Sequence, residues 1–314
     1  MKIIKPKKLK QGDLIGVISP ASAPPDPTKI NDGIRYLEKL GYRVLVGKNV
    51  NKVHGYLAGT DEERLHDLHD MFKNKKVKAI MCIRGGYGTP RLINKINYHL
   101  IRANPKIFVG YSDITALQLA IFQKTGLITF AGPMLVSNFS NGVDSYTEEN
   151  FWRVITSNKK NGKIRFPENE KLIPIKKGIK NGRIIGGNLT LLSSLIGTGY
   201  FPSMKERLLF LEEIGEAPYR IDRIFNQFSM LKIFDHVNGI IFGAFTDCAE
   251  TDPEKRTLSR GEVLEDYLGK LKKPIVYNLP HGHVTQLLTM PIGIRARLNA
   301  SRGILEFLEG AVKA

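Results

Sequence analysis

The first half of the chain predicts an α/β fold, a parallel sheet with helices on both faces, on three observations. Short apolar runs alternate with segments of helical periodicity, polar or glycine-rich turns separate them, and helix start and stop residues stand where the periodic segments begin and end. Residues 13–19 read as a strand running into Pro20-Ala-Ser-Ala-Pro-Pro25, which cannot continue it. Residues 30–40 have helical spacing closed by Gly41, and residues 42–46 form the next strand. Thr60-Asp-Glu-Glu63 is a capping box opening a helix to Phe72, since its hydroxyl and carboxylate can each take a backbone N–H of the first turn. A strand over 76–83 leads into Arg84-Gly-Gly-Tyr-Gly88. Another over 107–110 leads into Tyr111-Ser-Asp-Ile-Thr115 and a helix to Lys124 with Ile114, Leu117 and Ile121 on one face. Residues 127–131 are a further strand and 147–157 a helix holding the single tryptophan, Trp152.

Over residues 158–182 the pattern dissolves into Lys, Gly, Asn and Pro. This is the expected linker, with room for a β-ribbon, between an N-terminal domain (1–157) and a C-terminal domain (183–314). The second half predicts Gly182-Arg-Ile-Ile-Gly-Gly-Asn-Leu189 followed by a helix to 195, strands over 207–214, 239–245 and 274–279, and helices over 218–231 and 260–268. Alternating segments at 293–299 and 303–308 form a closing hairpin.

A length of 314 residues suits two domains, and 42% hydrophobic with 25% charged residues is ordinary for a globular protein. Cys82 and Cys248 are far apart in sequence and suggest no disulfide framework, as expected in a reducing compartment. The basic start, Lys2 to Lys10, is followed by no apolar signal region, and nowhere do 18 apolar residues run together, so the expectation is a cytoplasmic protein without a membrane partner. The net charge of +17 is dispersed along the chain. Without interleaved stacking residues or a recognisable module it argues for solubility and anion attraction, not a nucleic-acid partner. His66 and His69 lie on one helix with Asp67 and Asp70; two histidines fall short of a zinc set, and a solvated charged face accounts for them.

Chemistry concentrates in four places. Ser112 follows a strand at a sharp turn into a helix, where its hydroxyl is exposed and the N–H of Asp113 can meet an oxyanion. Either residue could equally cap that helix, and Ile114 stands where a G-x-S-x-G elbow has its second glycine. Gly85 and Gly86 allow close backbone approach after a neighbouring strand, as an anion nest or merely a tight connection. Glu212 and Glu213 end an apolar strand, and period-2 alternation sends them to opposite faces, one to be buried and the other solvated. His281 and His283 flank Gly282 in a loop. Serine, carboxylate and histidine are the parts of a nucleophile, orienter and base.

The ordered set Arg84-Gly-Gly-Tyr-Gly88, Gly110-Tyr-Ser-Asp-Ile-Thr115, Gly186-Gly-Asn-Leu189, Phe210-Leu-Glu-Glu-Ile214 with Gly215-Glu-Ala-Pro-Tyr-Arg-Ile-Asp-Arg223, and Gly282-His283 followed by Met290-Pro-Ile-Gly293 closely resembles the LD-carboxypeptidase family. That family includes murein tetrapeptide carboxypeptidases and microcin immunity peptidases. The resemblance implies a Rossmann- or flavodoxin-like N-terminal domain with a smaller α/β C-terminal domain, a homodimer, and a serine peptidase with no metal or other cofactor. It implies Ser112 as nucleophile, His283 as base and Glu212 as orienting carboxylate, with Gly86 and Asp113 N–H groups as the oxyanion hole. The implied substrate is a murein tetrapeptide, cut before its terminal D-alanine during peptidoglycan recycling. Arg84, beside the glycine loop, is the candidate partner of the substrate carboxylate. The alternatives are an immunity-type peptidase acting on a peptidyl-nucleotide, which wants an aromatic residue near the site, and a non-catalytic binder of anions or nucleotides. Ala131-Gly-Pro-Met134 departs from the His-Gly-Pro common in relatives, which bears on pocket shape.

Overall fold

The computed structural model describes residues 2–252 and 254–314. In chain order the first part runs β1 (Leu14–Ile18), α1 (Thr28–Lys39), β2 (Arg43–Val46), α2 (Asp61–Lys73), β3 (Val77–Cys82), α3 (Tyr98–Ala103), β4 (Ile107–Gly110), α4 (Thr115–Thr125), β5 (Thr129–Ala131) and α5 (Ser145–Thr156). The local signals act where they stand in the sequence. The Thr60 hydroxyl accepts the Glu63 N–H while the Glu63 carboxylate accepts the Thr60 N–H, and Gly41 follows α1 with φ 85°. Strands β2-β1-β3-β4-β5 pair in parallel in that spatial order, so the chain reverses its direction of winding between β1 and β3, where open α/β sheets hold ligands.

The second part runs β6 (Gly162–Lys163), β7 (Ile173–Lys176), β8 (Ile179–Asn188), α6 (Leu189–Ser193), β9 (Arg207–Ile214), α7 (Pro218–Met230), α8 (Ile233–His236), β10 (Gly239–Thr246), α9 (Arg260–Leu268), β11 (Ile275–Tyr277), β12 (Met290–Ile292), β13 (Arg295–Asn299) and β14 (Ile304–Phe307). Eight of these strands form a second sheet in the order β6-β14-β13-β8-β9-β10-β11-β7, with β8 to β11 parallel. Residues 158–182 thus supply β6, β7 and the start of β8 to this sheet. Strand β12 instead crosses back and pairs antiparallel with β5 at the edge of the first sheet.

Helix α4 lies between the two sheets, against β5 and β12 on one side and β8 and α6 on the other. Ala116, Leu117, Leu119, Ala120, Ile121 and Phe122 are all buried, so the expected one-sided helix is apolar nearly all round. The glycines of β8 permit this approach. Gly186 and Gly187 both have φ 142°, a Cβ at Gly186 would collide with the Phe210 carbonyl of β9, and one at Gly187 would stand 2.7 Å from the Thr115 hydroxyl at the start of α4. Among the described residues no helix is long and apolar enough to cross a membrane.

Candidate active site

Strand β4 ends in Gly110, Tyr111 continues extended, and the chain then folds into a single 3-10 turn over Ser112–Ile114. Gly110 is required because a Cβ there would lie 2.8 Å from Ile114 as the chain doubles back. Ser112 takes φ 62°, a left-handed conformation that costs a non-glycine residue on the order of 1–3 kcal/mol and that surrounding structure must impose. Its side chain makes no cap; it points away from the helix it precedes, toward His283.

Strand β9 delivers Glu212 from the second sheet. Opposite it the β9–β10 register shifts, so that Gly243 and Ala244 face the single residue Glu212, a β-bulge. The bulge frees the Ala244 N–H from the ladder, and it donates to the His281 carbonyl at 2.8 Å. A Cβ at Gly243 would stand 2.5 Å from that carbonyl, and Gly282 takes φ 122°. These features press the 281–283 loop against Glu212. The result is a hydrogen-bonded chain: Ser112 Oγ to His283 Nε2 at 3.1 Å, and His283 Nδ1 to Glu212 Oε2 at 3.1 Å. An ionised carboxylate only accepts, so Nδ1 carries the proton and the Nε2 lone pair faces the hydroxyl. The Glu212 side chain is 1% exposed and that of His283 20%.

The glycine loop after β3 closes over the serine. A Cβ at Gly85 would lie 2.9 Å from Ser112 Cβ and 3.4 Å from the Asp113 nitrogen, so the loop and the elbow are in direct contact. Gly86 is exposed with φ 113°, packed on Ser22, whose hydroxyl accepts the Tyr87 N–H and donates to the Tyr56 carbonyl. The Asp113 carboxylate points backwards into the protein and accepts the N–H groups of Gly88 (3.3 Å) and Thr89 (2.8 Å), tying the loop to the elbow. Burial pushes its pKa up, against the lowering effect of those hydrogen bonds and of Arg64. Arg64, itself buried, donates to the Pro20 and Gly88 carbonyls and pairs with Asp61 at 2.6 Å, fixing the far end of the loop. Arg84 is half-buried and donates to the Ala23 carbonyl at 3.3 Å.

Glu213 corrects one expectation. It does face the other way from Glu212, but it is buried as well, at 2% exposure. The start of α6 covers it: the carboxylate accepts from Asn188 Nδ2, the Thr190 N–H and the Ile214 N–H, each at 2.8 Å. Burial raises its pKa against these donors. The sequence signal was Asn188, the last residue of the Gly-Gly-Asn motif, which caps α6 and holds Glu213 at once. Gln118 had no comparable signal; its amide ties the Gly110 and Phe130 carbonyls together behind the elbow. His66 pairs with Asp67 and Asp70, His69 Nε2 accepts the Asn97 N–H, and among the described residues no group of three His, Cys, Asp or Glu side chains could hold a metal. A cavity of about 800 Å³ opens behind the histidine loop beside Phe242, Leu264, Leu279 and Val284, and the Ser112, Glu212 and His283 side chains do not line it.

The LD-carboxypeptidase N-terminal domain pattern matches residues 15–132 and the LD-carboxypeptidase C-terminal domain pattern residues 181–298. The chain belongs to the LD-carboxypeptidase family. It is 42% identical to a probable murein peptide carboxypeptidase of Bacillus subtilis, over 98% of this chain and 97% of the relative. It is 32% identical to the microcin C7 self-immunity protein MccF of Escherichia coli, over 93% of this chain and 92% of that one. Among solved structures, the muramoyltetrapeptide carboxypeptidase of Oxalobacter formigenes superposes with a TM-score of 0.82 at 28% identity, over 93% of this chain and 97% of its own. As a member of the LD-carboxypeptidase family the protein is a serine-type peptidase, and the mixed α/β fold with its parallel N-terminal sheet is that of its solved relatives.

Proposed function

We propose that the protein is a murein LD-carboxypeptidase that removes the terminal D-alanine from a tetrapeptide through a Ser112–His283–Glu212 triad. The observation that carries this is the pair of 3.1 Å hydrogen bonds joining the three side chains across two sheets. In the proposed reaction His283 Nε2 takes the Ser112 proton as Oγ attacks the amide carbonyl carbon, and Glu212 stabilises the imidazolium. The oxyanion is met by the N–H groups of Gly86 and Asp113, each such donor being worth about 10²–10³ in rate. Collapse breaks the C–N bond, His283 returns the proton to the departing D-alanine amine, and water then releases the acyl group by the same route. Arg84 is the proposed partner of the substrate's terminal carboxylate. The proposal includes a cytoplasmic role in peptidoglycan recycling, action as a homodimer, and division of the chain into the domains 1–157 and 183–314. The murein relatives support the substrate.

A second reading has one observation in its favour. Tyr56 and Tyr87 are exposed, pack edge-to-face with centroids 5.5 Å apart, and stand beside Gly86, where they could stack on a planar group. A solved structure of the microcin C7 self-immunity protein MccF is described as a complex with aspartyl sulfamoyl adenosine. The two readings are separated by incubating the enzyme with murein tetrapeptide and with a peptidyl-adenylate analogue and following both by mass. D-Alanine release that disappears in Ser112→Ala, with peptide binding retained, is the expected result. Cleavage of the nucleotide substrate alone replaces the main reading with the second, and no turnover of either leaves a binding protein.

A further inference from the structure

His281 is fully buried two residues before the base of the triad, with its ring edge-on to Phe210 (4.9 Å between centroids) and to Tyr111 (6.2 Å). Phe210 and Glu212 share a face of β9, and the Tyr111 ring is also edge-on to His283 with centroids 5.3 Å apart, so the two imidazoles lie against one tyrosine ring, with Glu212 close enough to act on His281 electrostatically. The His281 Nδ1 partner is the Leu288 carbonyl at 2.5 Å. A carbonyl only accepts, so Nδ1 carries the proton, and burial disfavours a second one, leaving Nε2 as a bare lone pair. Nε2 is buried and has no hydrogen-bond partner among the described residues; the same holds for Glu212 Oε1, the carboxylate oxygen that His283 does not use. Unmet buried polar atoms are costly, and here two acceptors are unmet together. Acceptors cannot satisfy each other. The group that satisfies both is a donor with two hydrogens.

We propose that His281 is a positioning residue for the triad, its Nε2 and Glu212 Oε1 sharing one buried water that donates a hydrogen bond to each and so fixes the plane in which the carboxylate meets His283. This rests on the triad proposed above and adds a fourth member behind it. The titratable groups facing His281 are Glu212 of β9, His283 of its own loop and Tyr111 of the elbow. Losing the water removes one donor from Glu212, concentrates its charge on the Nδ1–H of His283, favours the imidazolium, and moves the acid limb of the activity profile to higher pH.

The test uses two substitutions that divide the ring. Asparagine places an amide N–H near Nδ1 and can keep the Leu288 bond with nothing at Nε2, whereas glutamine reaches the Nε2 position. The readout is the pH dependence of Ser112 acylation by a fluorophosphonate, which needs no peptide substrate, alongside D-alanine release. In His281→Asn acylation is expected to fall roughly tenfold, with the acid limb up by about half to one pH unit at little change in Tm. His281→Gln is expected to recover most of both. A wild-type profile in His281→Asn overturns the proposal, as does equal impairment of both variants in step with lost Tm, which is the pattern of a purely structural role. Should neither variant fold, a high-resolution crystal structure of the wild type decides: a water within about 3 Å of both atoms supports the proposal, and a dry gap or direct contact overturns it. Wild-type enzyme that is acylated yet releases no D-alanine refutes the murein reading while the two variants still test His281.

Discussion

Gly85→Ala measures how closely the glycine loop sets Ser112, the proposed nucleophile. The added Cβ would stand 2.9 Å from Ser112 Cβ and 3.0 Å from Ser112 Oγ. Carbon atoms settle at about 3.5 Å or more, so roughly 0.6 Å must be absorbed. Ser112 is the more mobile partner, because the loop is tied to the Asp113 carboxylate through two N–H groups and to Arg64 through the Gly88 carbonyl. If the serine moves away from His283 by that amount, the 3.1 Å hydrogen bond opens to about 3.7 Å, outside bonding range. A misplacement of this size is expected to lower kcat by roughly 10- to 100-fold with KM little changed. Stability should respond differently. Gly85 is not among the glycines with positive φ, so alanine meets no backbone penalty and gains about 0.4–1 kcal/mol through the unfolded chain, against a clash of about 1–3 kcal/mol. The assay is steady-state D-alanine release set beside a thermal melt. Full kcat in a folded Gly85→Ala enzyme would refute the claim that loop contact positions the serine.

Further outcomes follow from the same geometry. Glu212→Gln should leave Tm nearly unchanged and cut kcat by about 10³–10⁴, because the wrong tautomer of His283 would be favoured. Glu213→Ala should do the reverse, since it strips the acceptor from Asn188, Thr190 and Ile214; a loss of about 2–4 kcal/mol in a urea melt with modest loss of kcat is expected, and swapped phenotypes would sink the assignment. Two wholly or partly buried histidines should contribute a loss of stability on acidification, opposed by Asp113 and Glu213, whose raised carboxyl pKa values favour the folded state as pH falls. Burial depresses the pKa of His281 and of His69, so both are neutral in either state above the unfolded value of about 6.5. Below it the unfolded chain binds protons first, and stability is lost as pH falls toward the depressed folded values. For fully buried His281 the slope approaches roughly 1.4 kcal/mol per pH unit, read as the difference in stability between wild type and His281→Asn, and a difference that stays constant between pH 7 and about 5 would contradict it.

Much of this architecture could be read from the residues, and what could not is instructive. The parallel strands of the first sheet, the Thr60 capping box and the Gly41 stop depend on neighbours in sequence, and local periodicity reports them. Ser112, Glu212 and His283 stand out in the sequence as residue types at strand ends and in a loop, and the fold brings Ser112 and Glu212 each within hydrogen-bonding distance of His283. Strand β12 is a different matter. Three residues long and containing Pro291, it pairs with a strand more than a hundred residues away, and nothing local marks it. Alternation placed Glu212 and Glu213 on opposite faces correctly, yet exposure depended on α6, whose docking over Glu213 is a tertiary fact. For α4 the positions Ile114, Leu117 and Ile121 suggested one buried face, and the second sheet then covered the other. Gly186 and Gly187 stood out as a motif, but their reason, backbone approach to Phe210 and Thr115, exists only in the packed molecule.

The return of β12 to the first sheet means that His283, the proposed base, rides on a segment moored at both ends, through β11 to β10 in one sheet and through β12 to β5 in the other. A gene severed between the halves would give an amino-terminal product with the β5 edge bare and a carboxyl-terminal product carrying a strand with nowhere to lie. Neither piece should mature alone, whereas co-expressed fragments could reassemble, with β12 as the stitch. The same mooring couples hinge to chemistry: any rocking of one sheet against the other tugs the imidazole, so turnover would register inter-sheet angle as sensitively as it registers the reacting groups.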